Sequence, residues 1–186
     1  MKYVLLVAFW AAYFIVHSVL ADPSVKEKVG LNPRPYRLIY SILSTVGLFL
    51  ILFYNGWIGG EVLFSKTKFI TYAGLLIAGA GVLVINASFR NYSFLAFIGL
   101  RNEQAGDFVT SGINAWVRHP IYSGTILITL GYFLFDPRLA TLISVICAWI
   151  YLWIGIRLEE KKLLKQFGDK YRKYQQEVAA VIPFLL

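Results

Sequence analysis

The chain has 186 residues, of which 58% are hydrophobic and only 15% are charged, and its formal net charge is +8. Soluble domains usually contain about 25% charged residues, so this composition excludes an ordinary soluble protein and indicates an integral membrane protein. The length predicts one domain covering residues 1–186. We assign the basic charge to membrane topology and predict no binding of nucleic acid. A single cysteine, Cys147, allows neither an intrachain disulfide nor a cysteine-based metal site.

Five apolar segments follow one another along the chain and predict an all-α, polytopic membrane bundle. They cover residues 3–21, 38–58, 69–89, 121–135 and 139–156. The first ends at Asp22 and Pro23 without a convincing cleavage site, so we interpret it as a retained span. The fourth is short for a full crossing. The last two segments are therefore expected to form either two spans or a tight, partly embedded hairpin.

The basic residues are distributed unevenly between the two sides of this predicted bundle. If the N-terminus is outside and the five segments alternate, only four of the 18 Lys and Arg residues fall outside: Lys2, Lys66, Lys68 and Arg138. The positive-inside rule favours this orientation, with the C-terminus in the cytoplasm. The same orientation results if the last two segments form a hairpin.

Small residues in the third segment predict a close contact between helices. Gly74 and Ala78 are four residues apart, and Gly79 and Gly81 follow them. Two small residues at this spacing allow helix backbones to approach closely in a membrane. We interpret this pattern as packing.

The C-terminal stretch 157–178 has the pattern of an amphipathic cytoplasmic helix. Its apolar residues recur every three or four positions and share one helix face: Leu163, Phe167, Tyr171, Tyr174 and Val178. Gly168 interrupts the pattern and is expected to kink or break the helix. The helix is expected either to lie on an anionic membrane surface or to close over a site.

A polar motif, "WVRHPIYSG" at residues 116–124, begins the fourth apolar segment. Pro120 suits the first turn of a helix, where its missing N–H has no cost. His119 then lies at the helix N-terminus, where free N–H groups favour anions. The motif is therefore either a charged helix start at the water boundary or part of a polar site on the predicted cytoplasmic side.

Two adjacent carboxylates, Glu159 and Glu160, end the fifth apolar segment on the same predicted side. Carboxylates are disfavoured at a helix C-terminus, where cations are preferred. They either pair locally with Arg157 or with the lysines at 161–165, or they belong to a site. In the second case Glu159, Glu160 and Arg157 are the candidate catalytic residues.

The remaining ionisable and motif signals are few. His17 lies inside the first span, where it is either a functional residue or a neutral imidazole bonded to another helix. We find no Gly-rich phosphate loop and no serine in a nucleophile elbow. The two histidines are far apart in the sequence and no clear carboxylate pattern accompanies them, so we predict no metal site.

Two C-terminal stretches resemble the signature of the isoprenylcysteine carboxyl methyltransferase family, which is similar to the membrane phospholipid N-methyltransferases. They are "TSGINAWVRHPIYSG" at 110–124 and "RLEEKKLLKQFGDKYRKYQQEVAAVIPF" at 157–184. The matching positions are Gly112, Val117 to Pro120, Tyr122, Gly124, Glu159, Glu160, Phe167, Gly168, Tyr171, Tyr174 and Pro183. The chain departs from the pattern at Asn114, where the family usually has an aromatic residue.

Shorter stretches in the N-terminal half resemble bacterial methanethiol S-methyltransferases and the nurim and NnrU-like membrane proteins. They are "HSVLAD" at 17–22, "RPYRLIYS" at 34–41 and "FIGLR" at 97–101. The two sets of motifs together cover both halves of the chain.

The resemblance implies methyl transfer from S-adenosylmethionine, with the cofactor bound by the half at about 101–186. It implies that Gly112, His119, Tyr122 and Tyr174 line the cofactor pocket and that Arg118 faces the cofactor carboxylate. It implies further that Glu159 or Glu160 holds polar groups of the cofactor or orients the acceptor.

The implied acceptor is a thiol or another small or lipophilic nucleophile that enters from the bilayer. A prenylcysteine carboxylate is the alternative acceptor, and a non-enzymatic, nurim-like or NnrU-like structural role is the alternative function. The small size favours a bacterial inner membrane. The oligomeric state is left open.

Overall fold

The computed structural model describes residues 1–90, 93–101 and 108–183. Phe184, the last residue of the C-terminal motif, and residues 102–107 of the predicted cofactor-binding half lie outside the described residues. Eight α-helices and one 3₁₀ helix are named in the described part. They are α1 (Lys2–Ala21), α2 (Pro23–Val29), α3 (Pro33–Ile58), α4 (Lys68–Ser88), α5 (Phe94–Phe97), the 3₁₀ helix (Gly112–Ala115), α6 (Pro120–Phe135), α7 (Leu139–Phe167) and α8 (Asp169–Glu177).

The helices confirm the predicted all-α membrane architecture. Four of them, α1, α3, α4 and α7, are long and apolar enough to cross a bilayer, and α6 is a shorter apolar helix of 16 residues. Each of the five includes most or all of one predicted apolar segment. The predicted fold class, a polytopic helical bundle, is therefore correct.

One helix extends well beyond its apolar segment. Helix α7 does not end near Ile156 but continues as a polar helix to Phe167. The prediction that Glu159 and Glu160 lie at the end of a helix is therefore wrong. Both residues lie inside α7. The reason is that the end of an apolar run marks where lipid contact ends, and it carries no backbone signal that stops a helix.

Gly168 is the residue that does end this helix. Its φ of 57° and ψ of −130° are not helical, so α7 ends before Gly168 and α8 begins after it. A residue with a side chain adopts this conformation only at considerable cost. The predicted break in the C-terminal amphipathic stretch is confirmed.

By backbone contacts, the chain divides into two compact units. The first contains Met1–Leu63, Tyr92–Gly106 and Arg138–Cys147, and the second contains Phe64–Asn91, Asp107–Pro137 and Ala148–Leu186. Helix α7 therefore contributes its beginning to the first unit and the rest to the second.

A buried polar network joins three helices in the first unit. The indole of Trp10 in α1 donates to the hydroxyl of Ser144 in α7 at 2.9 Å, and this hydroxyl donates to Asn55 Oδ1 in α3 at 2.9 Å. Asn55 Nδ2 lies 3.4 Å from the hydroxyl of Thr141. All four side chains are buried. Polar contacts of this kind fix which residues of adjacent membrane helices face each other.

His17 also contacts a neighbouring helix of the first unit. Its Nε2 lies 2.7 Å from the hydroxyl of Tyr40 in α3. This is the geometry of an imidazole bonded to another helix, which the sequence left as one of two interpretations of this residue.

In the second unit, α4 and α6 cross with their backbones in close contact. A Cβ placed on Gly74 would lie 2.8 Å from the carbonyl oxygen of Gly131, and one on Gly81 would lie 2.5 Å from that of Gly124. Real Cβ atoms do not approach oxygen so closely, so these positions admit only glycine. The close contact predicted from Gly74 and Ala78 is confirmed, since Ala78 also packs against Gly131. The contact holds the short helix α6, and the polar motif that begins it, against α4.

Candidate active site

The Arg-His-Pro motif is held by the C-terminal segment of the chain. The amide of Arg118 donates to the carbonyl of Ala179 at 2.8 Å, and the amide of His119 donates to that of Ala180 at 3.0 Å. The hydroxyl of Ser123 donates to the carbonyl of Val181 at 2.7 Å. Pro120 occupies the first turn of α6, as its missing N–H predicts. These bonds leave the side chains of Arg118 and His119 to project towards α7.

His119 lies between two carboxylates. Its Nε2 is 3.2 Å from Glu160 Oε1 and its Nδ1 is 3.6 Å from Glu159 Oε2. The imidazole side chain is 4% exposed and stacks on the ring of Tyr122, with 5.5 Å between centroids and 19° between planes. The two carboxylates differ in access, since the Glu160 side chain is 17% exposed and that of Glu159 is 47% exposed.

Arg118 connects this cluster to the end of the chain. Its Nε donates to Glu160 Oε1 at 2.8 Å, and one terminal nitrogen donates to the backbone carbonyls of Gln175 and Val178. The guanidinium is largely buried, so these charge-assisted bonds are poorly screened by water. Arg118 therefore joins α7 to the last turn of α8 and to Val178, which follows it.

The apolar face of α8 packs inward around aromatic rings. Tyr171 and Tyr174 are buried, and Phe108 lies 5.4 Å and 5.5 Å from their ring centroids. The hydroxyl of Tyr174 donates to the backbone carbonyl of Asn114 in the 3₁₀ helix. Of the two interpretations of the C-terminal amphipathic stretch, this packing favours a helix that closes over other parts of its own chain.

Two buried polar atoms of this region have no hydrogen-bond partner among the described residues: Asn114 Oδ1 and the hydroxyl of Tyr171. Burial, followed by the negative charge of Glu160, raises the pKa of Tyr171 above its ordinary value. The phenol therefore stays neutral over the physiological range.

The structure brings together five of the residues that the resemblance implied: Arg118, His119, Tyr122, Glu159 and Glu160. The sequence left open whether the glutamates pair locally or belong to a site. For Glu160 the structure shows ion pairs with Arg118 and His119.

The other implied site residues lie around or apart from this cluster. Gly112 begins the 3₁₀ helix with a φ of 64°, and Tyr174 contacts the same short helix. The guanidinium of Arg157 stacks on the ring of Trp153 at 4.0 Å, which is a cation–π contact.

The sequence did not single out three features of this region. They are the backbone carbonyls of Gln175 to Val181 that hold the motif, the ring of Phe108, and the polar atoms of Asn114 and Tyr171 without partners. Backbone acceptors and an isolated Phe have no pattern in a sequence. Asn114 did have a signal, since it stands where the resembled family usually has an aromatic residue.

Comparison with known proteins places these residues in a family context. The family model described as NnrU protein matches residues 5–185. Methanethiol S-methyltransferase 1 of Bradyrhizobium diazoefficiens is 30% identical over 62% of this chain and 40% of its own length. Methanethiol S-methyltransferase of Pseudomonas deceptionensis is 28% identical over 98% of this chain and 72% of its own length.

A second group of relatives carries a different name. Protein-S-isoprenylcysteine O-methyltransferase of Saccharomyces cerevisiae is 31% identical over 64% of this chain and 51% of its own length. The chain thus spans about half or less of the length of two of these three relatives. No solved structure matches the chain.

Proposed function

The chain belongs to the NnrU protein family, and we propose that it is an S-adenosylmethionine-dependent membrane methyltransferase that methylates a thiol or another small or lipophilic acceptor. One observation carries the proposal: a buried imidazole held between two carboxylates, braced by an arginine. The names of the relatives, which are methyltransferases of a small thiol and of isoprenylcysteine, support the same reaction class.

The residues of the cluster fit the proposed cofactor by charge. Glu159 and Glu160 supply two negative charges, and Arg118 neutralises one of them. The remaining negative charge favours a cation, and the cofactor has both a sulfonium and an ammonium group. The partnerless polar atoms of Asn114 and Tyr171 are neutral and suit its uncharged end.

When bound, the cofactor supplies a methyl carbon activated by the positive sulfur. Transfer would join the acceptor thiolate to this carbon as the methyl–sulfonium bond breaks, with its electron pair left on the thioether product and the thiol proton released to water. A free thiol has a pKa of about 8.5, so removal of its proton promotes the attack. The protein must also align the acceptor with the methyl carbon and exclude water.

We assign different tasks to the two carboxylates. Glu160 is bound by Arg118 and His119 and is largely buried, so it positions the imidazole. Glu159 is about half exposed and also accepts a hydrogen bond from Tyr122, so it is the carboxylate placed to orient the acceptor. Arg118, whose donors contact Glu160 and the end of the chain, braces this arrangement. Arg157 remains a candidate catalytic residue.

The proposal predicts turnover with a defined acceptor. The detergent-purified protein is incubated with methyl-labelled S-adenosylmethionine and one acceptor at a time. The acceptors are methanethiol, a longer alkyl thiol and S-farnesylcysteine. We expect labelled thioether with a thiol and an equal amount of S-adenosylhomocysteine, as detected by mass spectrometry.

The other outcomes of this assay select between the alternatives. Methyl ester formed on S-farnesylcysteine, with no thioether from any thiol, would assign the chain to the carboxylate-methylating class. Folded protein that binds no cofactor and methylates none of the acceptors would refute the enzymatic proposal and favour a structural role.

We also propose that the protein spans a bacterial inner membrane with its N-terminus outside and its C-terminus in the cytoplasm. The positive-inside rule supports this orientation. A green fluorescent protein fused to the C-terminus is expected to fluoresce, and alkaline phosphatase fused at the same position is expected to be inactive. Active phosphatase with a dark fluorescent fusion would show the opposite orientation.

A further inference from the structure

The two partnerless polar atoms of the second unit are deeply buried. Asn114 is 5% exposed and Tyr171 is 1% exposed. Neither Asn114 Oδ1 nor the Tyr171 hydroxyl has a hydrogen-bond partner in the part of the chain that the structure describes. Leaving a buried polar group unpaired costs about 1–3 kcal/mol. Folded proteins rarely keep such groups unless a ligand or a bound water pairs with them.

Contacts with their neighbours hold the backbone of Asn114 and the ring of Tyr171 in place. The backbone of Asn114 is fixed at both ends, because its amide donates to Ser111 at 3.3 Å and its carbonyl accepts from Tyr174. The ring of Tyr171 packs edge-on against Phe108 at 5.4 Å and lies 5.9 Å from the ring of Tyr174. Tyr174 thus contacts both residues, so the two polar groups belong to one region.

The chemistry of this region differs from that of the charged cluster. An amide offers one acceptor and one donor, and a neutral phenol offers a hydroxyl that can do either. The rings of Phe108 and Tyr174 lie beside that of Tyr171, and the hydroxyl of Tyr174 contacts the backbone of Asn114. This combination suits a planar, uncharged heterocycle with both donor and acceptor atoms on its edge. Adenine is such a ring, and an amide side chain can pair with its amino group and adjacent ring nitrogen.

We propose that Asn114 and Tyr171 bind the adenosine end of the cofactor, with the amide of Asn114 paired to the exocyclic amino group of adenine. This inference rests on the proposed function. It assigns the methionine end to the cluster of Arg118, His119 and the two glutamates, and the nucleoside to the uncharged pair, of which Tyr171 lies within electrostatic reach of Glu160. The departure at Asn114 from the resembled family pattern then marks a contact particular to this chain.

The test compares two nucleosides on the purified full-length protein by calorimetry. S-Adenosylhomocysteine is measured against S-inosylhomocysteine, in which a carbonyl oxygen replaces the amino group of adenine. Wild-type protein is expected to bind the adenosyl compound at least about tenfold more tightly, because the loss of one buried hydrogen bond corresponds to roughly this factor.

Two variants examine the two residues. Asn114→Leu is expected to weaken binding of S-adenosylhomocysteine by about tenfold or more and to remove most of the preference over the inosyl compound. Tyr171→Phe is expected to weaken binding of both compounds by similar factors. Neither change should lower the melting temperature of the ligand-free protein, since Asn114 Oδ1 and the Tyr171 hydroxyl have no hydrogen-bond partner in the described part of the chain. Asn86→Leu and Tyr72→Phe, at exposed positions of α4, are the matched controls.

Each other result overturns the inference. If wild-type protein binds S-adenosylhomocysteine and both variants bind it equally well, a buried water pairs with these atoms, and the proposed function stands without the inference. If the variants melt at lower temperature without ligand, their role is structural. A loss in Asn114→Leu that is equal for both nucleosides would refute the contact with the amino group. Folded wild-type protein that binds neither compound would refute the proposed function as well.

Discussion

Replacing His119 with alanine is expected to reduce the affinity for S-adenosylmethionine at least a hundredfold and to abolish methyl transfer. The imidazole separates Glu159 from Glu160, and without it two carboxylates face each other with Arg118 as their partner. The imidazole holds Glu160 through a hydrogen bond at 3.2 Å, and a carboxylate displaced from a cofactor cation loses a charged hydrogen bond of about 1.5–3 kcal/mol, which corresponds to roughly this factor. Titration calorimetry with S-adenosylhomocysteine measures the affinity, and the labelled-methyl assay measures turnover.

Glu160→Gln is expected to have a similar effect on binding, because it removes the charge that pairs with both His119 and Arg118. Glu177→Gln is the matched control, since Glu177 is exposed and pairs only loosely with Lys173 at 3.9 Å. All variants are first checked for a wild-type elution profile in detergent. Normal affinity in well-folded His119→Ala and Glu160→Gln would remove these residues from the cofactor site, and a fall in melting temperature alone would indicate a structural cap.

The second large effect is expected at the crossing of α4 and α6. Gly81→Leu should destabilise the protein by roughly 3 kcal/mol or more, since a Cβ there would lie 2.5 Å from the carbonyl oxygen of Gly124. Helix α6 cannot yield without displacing His119, which immediately precedes it. We expect the variant to lose the monodisperse elution peak in detergent and to have a lower melting temperature.

Gly79→Leu is the matched control, because it makes the same substitution two residues earlier in the same helix. A Cβ at Gly79 meets no atom within 4 Å, and the residue is exposed. We expect the Gly79 variant to behave like the wild type. Equal stability of the two variants would show that the close approach of α4 and α6 does not contribute to folding.

Much of the fold was predictable from local patterns. The apolar runs and their lengths predicted the positions of five helices: α1, α3, α4, α6 and α7. They do so because membrane helices must expose apolar side chains to lipid over a fixed thickness. Gly168 indicated the break before α8, and the spacing of Gly74 and Ala78 indicated the close helix contact. These signals are readable because each depends on the properties of residues near one another in the sequence.

The candidate site was only partly predictable. The Arg-His-Pro motif and the two glutamates were recognised as a pattern, but their mutual contacts were not derivable from spacing. Which carboxylate is shielded depends on how α7 is rotated about its axis, and the structure turns Glu160 towards Arg118 and leaves Glu159 more exposed.

What the sequence by itself determined is the class of protein, the apolar helices and the residue types from which a polar site is made. Tertiary structure alone decided that α7 continues past its apolar part, and that residues 179–181 pair with the motif. It alone decided that Asn114 Oδ1 and the Tyr171 hydroxyl are buried and have no hydrogen-bond partner among the residues that the structure describes. The physical reason is that hydrophobic patterning acts locally along each helix, whereas these contacts join residues about 40 to 60 positions apart and depend on how the elements pack.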